Sequence, residues 1–167
     1  MKKIYLAGPD VFENDAISHG ETLKKLCSEF GFEGLFPLDN IIKEDEPCKM
    51  AEAIRIANLK LIRDADIVMA NLSPFRGFEP DSGTVYEVGY AEALGKPVFG
   101  YTDDLSALKE RLICAQNLHE DATHCQDGKI IEDFGLSHNL MFSHTLVAKD
   151  ARSCLQVIQN HFQDKKL

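Results

Sequence analysis

The chain alternates short, wholly apolar runs with longer segments of helical period. Residues 3–7 form the first apolar run and stop at Gly8-Pro9, and Asp10 to Phe12 lead into a helical pattern from about Asp15 to Phe30. Gly31–Pro37 reads as a second short strand, and Lys43–Pro47 as a charged loop. Cys48–Arg63 then has helical spacing, with Ile54, Ala57, Leu61 and Ile62 on one side. Asp66 to Leu72 is apolar enough for a strand covered on both faces. The prolines and glycines after it cannot continue a strand, and a helix follows that runs to Leu94, where Gly95 ends it. Lys96–Tyr101 gives a fourth strand, Leu105–Ile113 a short helix, Leu146-Val-Ala a fifth strand and Asp150–Phe162 a closing helix. Strands alternating with helices predict a doubly wound α/β sandwich of flavodoxin-like layout, with a parallel sheet of about five strands. Residues 115–135 carry no periodic run, and a stretch of that length in a compact domain is functional or mobile.

Open α/β sheets bind ligands at the carboxyl ends of their strands. Gly8, Asp39-Asn40 and the loop from Ser73 to Asp81 all fall in that layer. In the helix that follows, Glu87 shares a stripe with Tyr90, Ala91 and Leu94 at offsets of three, four and seven. A carboxylate on a mainly apolar stripe is buried or lies in a cleft, or else it complements the helix dipole from a solvated first turn. A second carboxylate, Asp81, at the helix entrance favours the cleft. Two neighbouring acids can have their pKa values pushed apart, so that one stays ionised as a nucleophile while the other holds substrate or carries a proton. That is glycosyl-transfer chemistry.

Composition narrows the classes further. The 167 residues suit one domain spanning 1–167, and 44% hydrophobic with 27% charged residues is ordinary for a globular protein. No apolar run approaches the roughly 18 residues of a membrane span. The Met-Lys-Lys start passes directly into strand-like sequence without a signal-peptide pattern, so a cytoplasmic location is expected. A net charge of -9 argues against a nucleic-acid partner, which calls for a basic stripe, and favours a small neutral substrate. Five scattered cysteines fit reduced thiols. Cys114, His119, His124 and Cys125 cluster with no common zinc spacing, and read as surface-loop residues or a metal site. Gly-x-Gly-x-x-Gly is absent, so no dinucleotide fingerprint is present.

The segment Asp81-x-Gly-x-x-x-Glu87-x-Gly-Tyr-Ala, preceded by Leu72-Ser-Pro-Phe-Arg-Gly and followed by Leu94-Gly-Lys-Pro-Val, resembles the central motif of the nucleoside 2-deoxyribosyltransferase family, in particular its trypanosomal-type branch. Lys3–Phe12 is similar to the family's opening strand and loop, Pro37-Leu-Asp-Asn40 to its second loop, and Phe134–Met141 to its C-terminal substrate segment. The resemblance implies exchange of the base of a 2′-deoxyribonucleoside for another nucleobase, without metal or organic cofactor. It implies Glu87 as the nucleophile, Asp81 as the holder of a sugar hydroxyl or a proton-transfer group, and Tyr5 as the group that orients Glu87. Phe12 becomes a wall against the base, and Gly8, Asp39, Asn58, Arg76 and Gly83 become further substrate contacts. Read from the residues alone, Tyr5 and Phe12 are equally well plain core. Asn139 and Met141 match a segment that reaches into the neighbouring subunit's site, which implies a homo-oligomer with shared sites.

One departure stands out. Asn58 aligns where other branches carry an aspartate that protonates the departing base, and an amide cannot readily donate a full proton. Two other readings remain open. A 2′-deoxynucleoside 5′-phosphate N-hydrolase uses a similar glutamate, but its first loop favours Gly-Ser, whereas this chain has Ala7-Gly8-Pro9-Asp10. A non-catalytic nucleoside-binding module of flavodoxin type is the other.

Overall fold

The computed structural model describes residues 1–164. Five parallel strands, β1 (Lys2–Ala7), β2 (Phe32–Leu35), β3 (Ile67–Asn71), β4 (Val98–Tyr101) and β5 (Leu146–Ala148), form one sheet in the order β2-β1-β3-β4-β5. The helices are α1 (Ala16–Glu29), α2 (Pro47–Asp64), α3 (Ser82–Ala93), α4 (Leu108–Gln116) and α5 (Ala151–Asp164). This strand order is that of flavodoxin-like sheets, whose switch point lies between β1 and β3.

Side-chain alternation along the central strands builds two cores. Ile4 and Leu6 of β1 join Ile67 and Met69 of β3 under α1 and α5, with Leu23, Cys27, Leu155 and Ile158. Tyr5 and Ala7 join Val68 and Ala70 on the other face, under α2 and α3, with Ile62, Val88 and Ala91. The register pairs Tyr5 with Val68, which puts the Tyr5 ring on the α3 side of the sheet. Both faces being covered, the central strands read as continuous apolar runs.

Local details differ from the sequence reading in three places. On α3 the buried positions are Thr84, Val88 and Ala91, while Leu94 is 44% exposed. Glu87 therefore lies at the edge of the buried stripe rather than along it. The helix α4 begins at Leu108, not Leu105, because the Asp104 carboxylate accepts bonds from both the Ser106 amide (2.9 Å) and its hydroxyl (2.5 Å). That side-chain turn occupies the residues that otherwise make a first helical turn. Within 115–135 the chain folds back on itself, with an antiparallel bridge between His124 and Ile130 and Gly128 at φ 81 in the turn. Gly95 ends α3 at φ 70, the left-handed conformation that favours glycine. Among the described residues no helix is long and apolar enough to cross a membrane.

Candidate active site

A cleft of about 490 Å³ opens at the carboxyl ends of β1 and β3, the switch point of the sheet. One end is polar: Gly8, Asn58, Asp81, Gly83, Thr84 and Glu87. The other is largely apolar, formed by Val11, Phe12, Leu38, Ile42, Met50 and Ile54, with Asn40 at its margin.

The polar end is built around α3. Asp81 caps the helix: its Oδ2 accepts the Thr84 amide (2.9 Å) and the Thr84 hydroxyl (3.1 Å). Two turns on, Glu87 meets Tyr5 from beneath, and the Tyr5 hydroxyl donates to Glu87 Oε1 at 2.7 Å. Tyr5 is fully buried, and burial together with the adjacent Glu87 charge raises its phenol pKa well above the ordinary value, so it stays a donor. Removal from water pushes the Glu87 carboxyl up to about 7, and the nearby Asp81 charge adds to this. Hydrogen bonds from Tyr5 and from the Asn58 amide act in the opposite direction. The Asn58 Oδ1 atom is buried and meets no donor among the described residues.

Of the residues singled out in the sequence, Gly8, Phe12, Asn58, Asp81, Gly83 and Glu87 come together around the cleft, and Tyr5 supports Glu87. Phe12 is 55% exposed and so is not core; Tyr5 is core and also bonds Glu87. Gly8 has no room for a side chain, since a Cβ there would lie 2.2 Å from Asp10 Oδ2 and 2.9 Å from the Asn71 Cβ. Four residues lie elsewhere. Asp39 bonds Lys24 (2.6 Å) and the Phe36 amide (2.9 Å), and leaves the cleft to its neighbour Asn40. Arg76, at φ 54, lays its guanidinium over the rings of Phe12 and Phe75, 5.2 and 4.6 Å from their centroids. Asn139 bonds Glu132 (3.2 Å) and accepts the Met141 amide (3.0 Å), and Met141 is 72% exposed. Among the described residues no His, Cys, Asp and Glu group is arranged to hold a metal ion.

Apart from Phe12, the apolar half escaped the sequence reading. Met50, Ile54 and Asn58 follow one another at helical spacing along α2, and an apolar residue on an amphipathic helix reads as core. Ile54, assigned there to the core side, is 44% exposed into the cleft.

In the unfolded chain a glutamate titrates near 4.5, so between that value and about 7 the folded protein binds more protons. Folding stability therefore falls as pH rises through this window, and at pH 8 the buried charge withholds about 3 kcal/mol. Glu87→Gln should melt at the same temperature as the parent below pH 4 and several degrees higher at pH 8; a lower melting point at pH 8 would contradict this environment. Tyr5→Phe removes a hydrogen bond that lowers the Glu87 pKa. The acid limb of any Glu87-dependent activity should then shift to higher pH, as a pH-rate profile will show.

The fold and the cleft define an α/β protein of the flavodoxin-like kind, with paired carboxylates at the switch point of its sheet. Residues 4–141 match the model of the nucleoside 2-deoxyribosyltransferase family, and the chain belongs to that family. It is similar to a 2-deoxyribosyltransferase from Leishmania mexicana at 32% identity, with a TM-score of 0.79 over 96% of this chain and 99% of that one. A 2-deoxyribosyltransferase from Bacillus psychrosaccharolyticus shares the fold at 22% identity and a TM-score of 0.58, covering 95% and 90% of the two chains. An uncharacterized protein of Schizosaccharomyces pombe is 39% identical over 105 residues, 60% of this chain and 50% of that protein; the match spans half of the relative's length.

Proposed function

We propose that the protein exchanges the base of a 2′-deoxyribonucleoside for another nucleobase by double displacement at Glu87. The observation that carries this reading is the Glu87 carboxylate at the polar end of the cleft, oriented by Tyr5 at 2.7 Å and titrating near neutrality. An ionised Glu87 oxygen attacks the anomeric carbon. The bond from that carbon to the base nitrogen breaks, its electron pair leaves with the base, and the base takes up a proton. The resulting deoxyribosyl ester is attacked by a nitrogen of the second base, the ester C–O bond breaks to restore the carboxylate, and the attacking nitrogen gives up its proton to the group that protonated the first base. Two inversions give net retention, as in retaining glycosidases.

The other cleft residues have roles consistent with their places. The Asp81 oxygen not used in the helix cap holds a sugar hydroxyl, and Phe12, Leu38, Ile42, Met50 and Ile54 pack against the base. The unpartnered Asn58 Oδ1 accepts an N–H from the base edge, which leaves the proton for the departing base to Asp81 or water.

The ester has to await a base without meeting water. A neighbouring copy that lays Asn139–Met141 over the cleft serves that need, and this is the reading for the exposed Leu140 and Met141. Mixing Glu87→Ala subunits with Asn139→Ala subunits should restore part of the activity each lacks alone. Full activity in a monomer verified by light scattering would contradict a shared site.

Incubation with deoxyinosine or thymidine, with and without adenine, tests the reaction by chromatography. New deoxynucleoside supports exchange. Free base alone points to a hydrolase, and unchanged substrate to a binding module.

A further inference from the structure

The loop that carries Phe12 contains a buried acid with no part in the chemistry above. Asp10 is 8% exposed, and its two oxygens are used separately. Oδ1 is 2.7 Å from Nε2 of His19 on α1, and Oδ2 accepts the side-chain amide of Asn71 at 3.1 Å. Among the described residues, these are the hydrogen bonds that tie residues 9–12 to other elements. Burial of a carboxylate is costly unless donors replace the water it loses, and here one donor comes from each side.

Asn71 extends the connection. It is the last residue of β3, and its Oδ1 accepts the Ser73 amide at 3.1 Å, the first turn of the loop that leads to Asp81. A polar chain thus runs from α1 through the 8–12 loop into the 72–81 loop. On the outer side the same two loops meet again, where the Phe12 ring stacks on Phe75 with centroids 5.2 Å apart. The closeness of Gly8 to Asp10 Oδ2 shows how tightly the carboxylate fills the space under the loop.

We infer that Asp10 is a positioning residue that fixes the base wall of the cleft, Val11 and Phe12, in register with the sugar-binding end at Asp81 and Glu87. The inference rests on the proposed base exchange for its kinetic form, but its structural claim concerns the base subsite alone. Loss of the Asp10 carboxylate lets the wall shift against the second loop. Base contacts suffer, while the Tyr5–Glu87 pair, held on the sheet and α3, does not.

The test uses the full chain with Asp10→Ala, Asp10→Asn, His19→Ala and Asn71→Ala. With thymidine or deoxyinosine as donor and adenine as acceptor, Asp10→Ala should raise the KM for adenine at least tenfold. Turnover of saturating donor to free base should change less than threefold, so the products shift from exchange toward hydrolysis. Asp10→Asn, which keeps the shape and one acceptor oxygen for Asn71, should recover most of the adenine KM. If Asp10→Ala does not fold, His19→Ala and Asn71→Ala decide, each raising the adenine KM severalfold. An adenine KM within twofold of the parent in the folded variants overturns the inference, as do changes of similar size in KM and turnover that track thermal stability alone. Calorimetric titration of adenine reads the base subsite without turnover. Affinity lost in Asp10→Ala when the parent performs no exchange would keep the positioning role and overturn the proposed function instead.

Discussion

Replacing Glu87 with alanine is expected to lower base exchange by on the order of 10⁴-fold or more, with the protein still folded. The fold tolerates the change for two reasons. Alanine favours a helix, and Glu87 lies at the edge of the buried stripe of α3, so little packing is lost. The charge it removes is itself unfavourable to folding above pH 7, so the variant should be at least as stable as the parent at pH 8. Activity has no such substitute. Asp81 is held at the helix entrance by the Thr84 amide and hydroxyl, and the Tyr5 hydroxyl, with its pKa raised, cannot ionise to take over. Near-parental exchange by a folded Glu87→Ala protein, assayed by chromatography, would remove Glu87 from the mechanism.

Asp81→Ala should have the second largest effect, about 10²-fold in kcat/KM. A hydrogen bond to a charged group is worth roughly 1.5–3 kcal/mol, which corresponds to about 10- to 150-fold. The same substitution removes the helix cap, at about 1 kcal/mol of stability. Because one side chain serves both purposes, Asp81→Asn separates them. It keeps a capping oxygen but takes away the charge that pushes the Glu87 pKa up. The acid limb of the Asp81→Asn profile should therefore lie at lower pH than the parent's, opposite to the shift in Tyr5→Phe. A loss of less than fivefold in Asp81→Ala, or an acid limb in Asp81→Asn at higher pH, would sink the role given to Asp81.

The pair of carboxylates was legible in the sequence because a strand that ends in a Pro- and Gly-rich loop and enters a helix places the residues at that entrance near the sheet's ligand-binding edge. The parallel sheet was legible for a similar reason, since strands covered on both faces appear as plain apolar runs between helical segments. Tyr5 shows where local pattern stops. Its alternation along β1 gives a face, but only the pairing with Val68 and the packing of α3 bring its hydroxyl to Glu87. Ile54 and Met50 were not legible as cleft residues, because burial against a core and exposure to an apolar cleft leave the same mark on a helix. Asp39 shows the converse: a polar residue in the right loop whose carboxylate is held by Lys24 and the Phe36 amide, partners no spacing rule reveals. Asp10 was visible as part of the first loop, but its bonds to His19 and Asn71 join three separate elements and exist only in the folded chain.

Double displacement requires a covalent bond between the sugar and Glu87. Incubation with a 2′-fluoro deoxynucleoside, which slows breakdown of the ester, followed by acid quench, proteolysis and mass spectrometry, looks for that bond. A sugar adduct is expected on the peptide containing Glu87, absent from Glu87→Gln and discharged when adenine is added. An adduct on Asp81 or another residue, or exchange that proceeds with the parent protein unlabelled throughout, would contradict double displacement at Glu87.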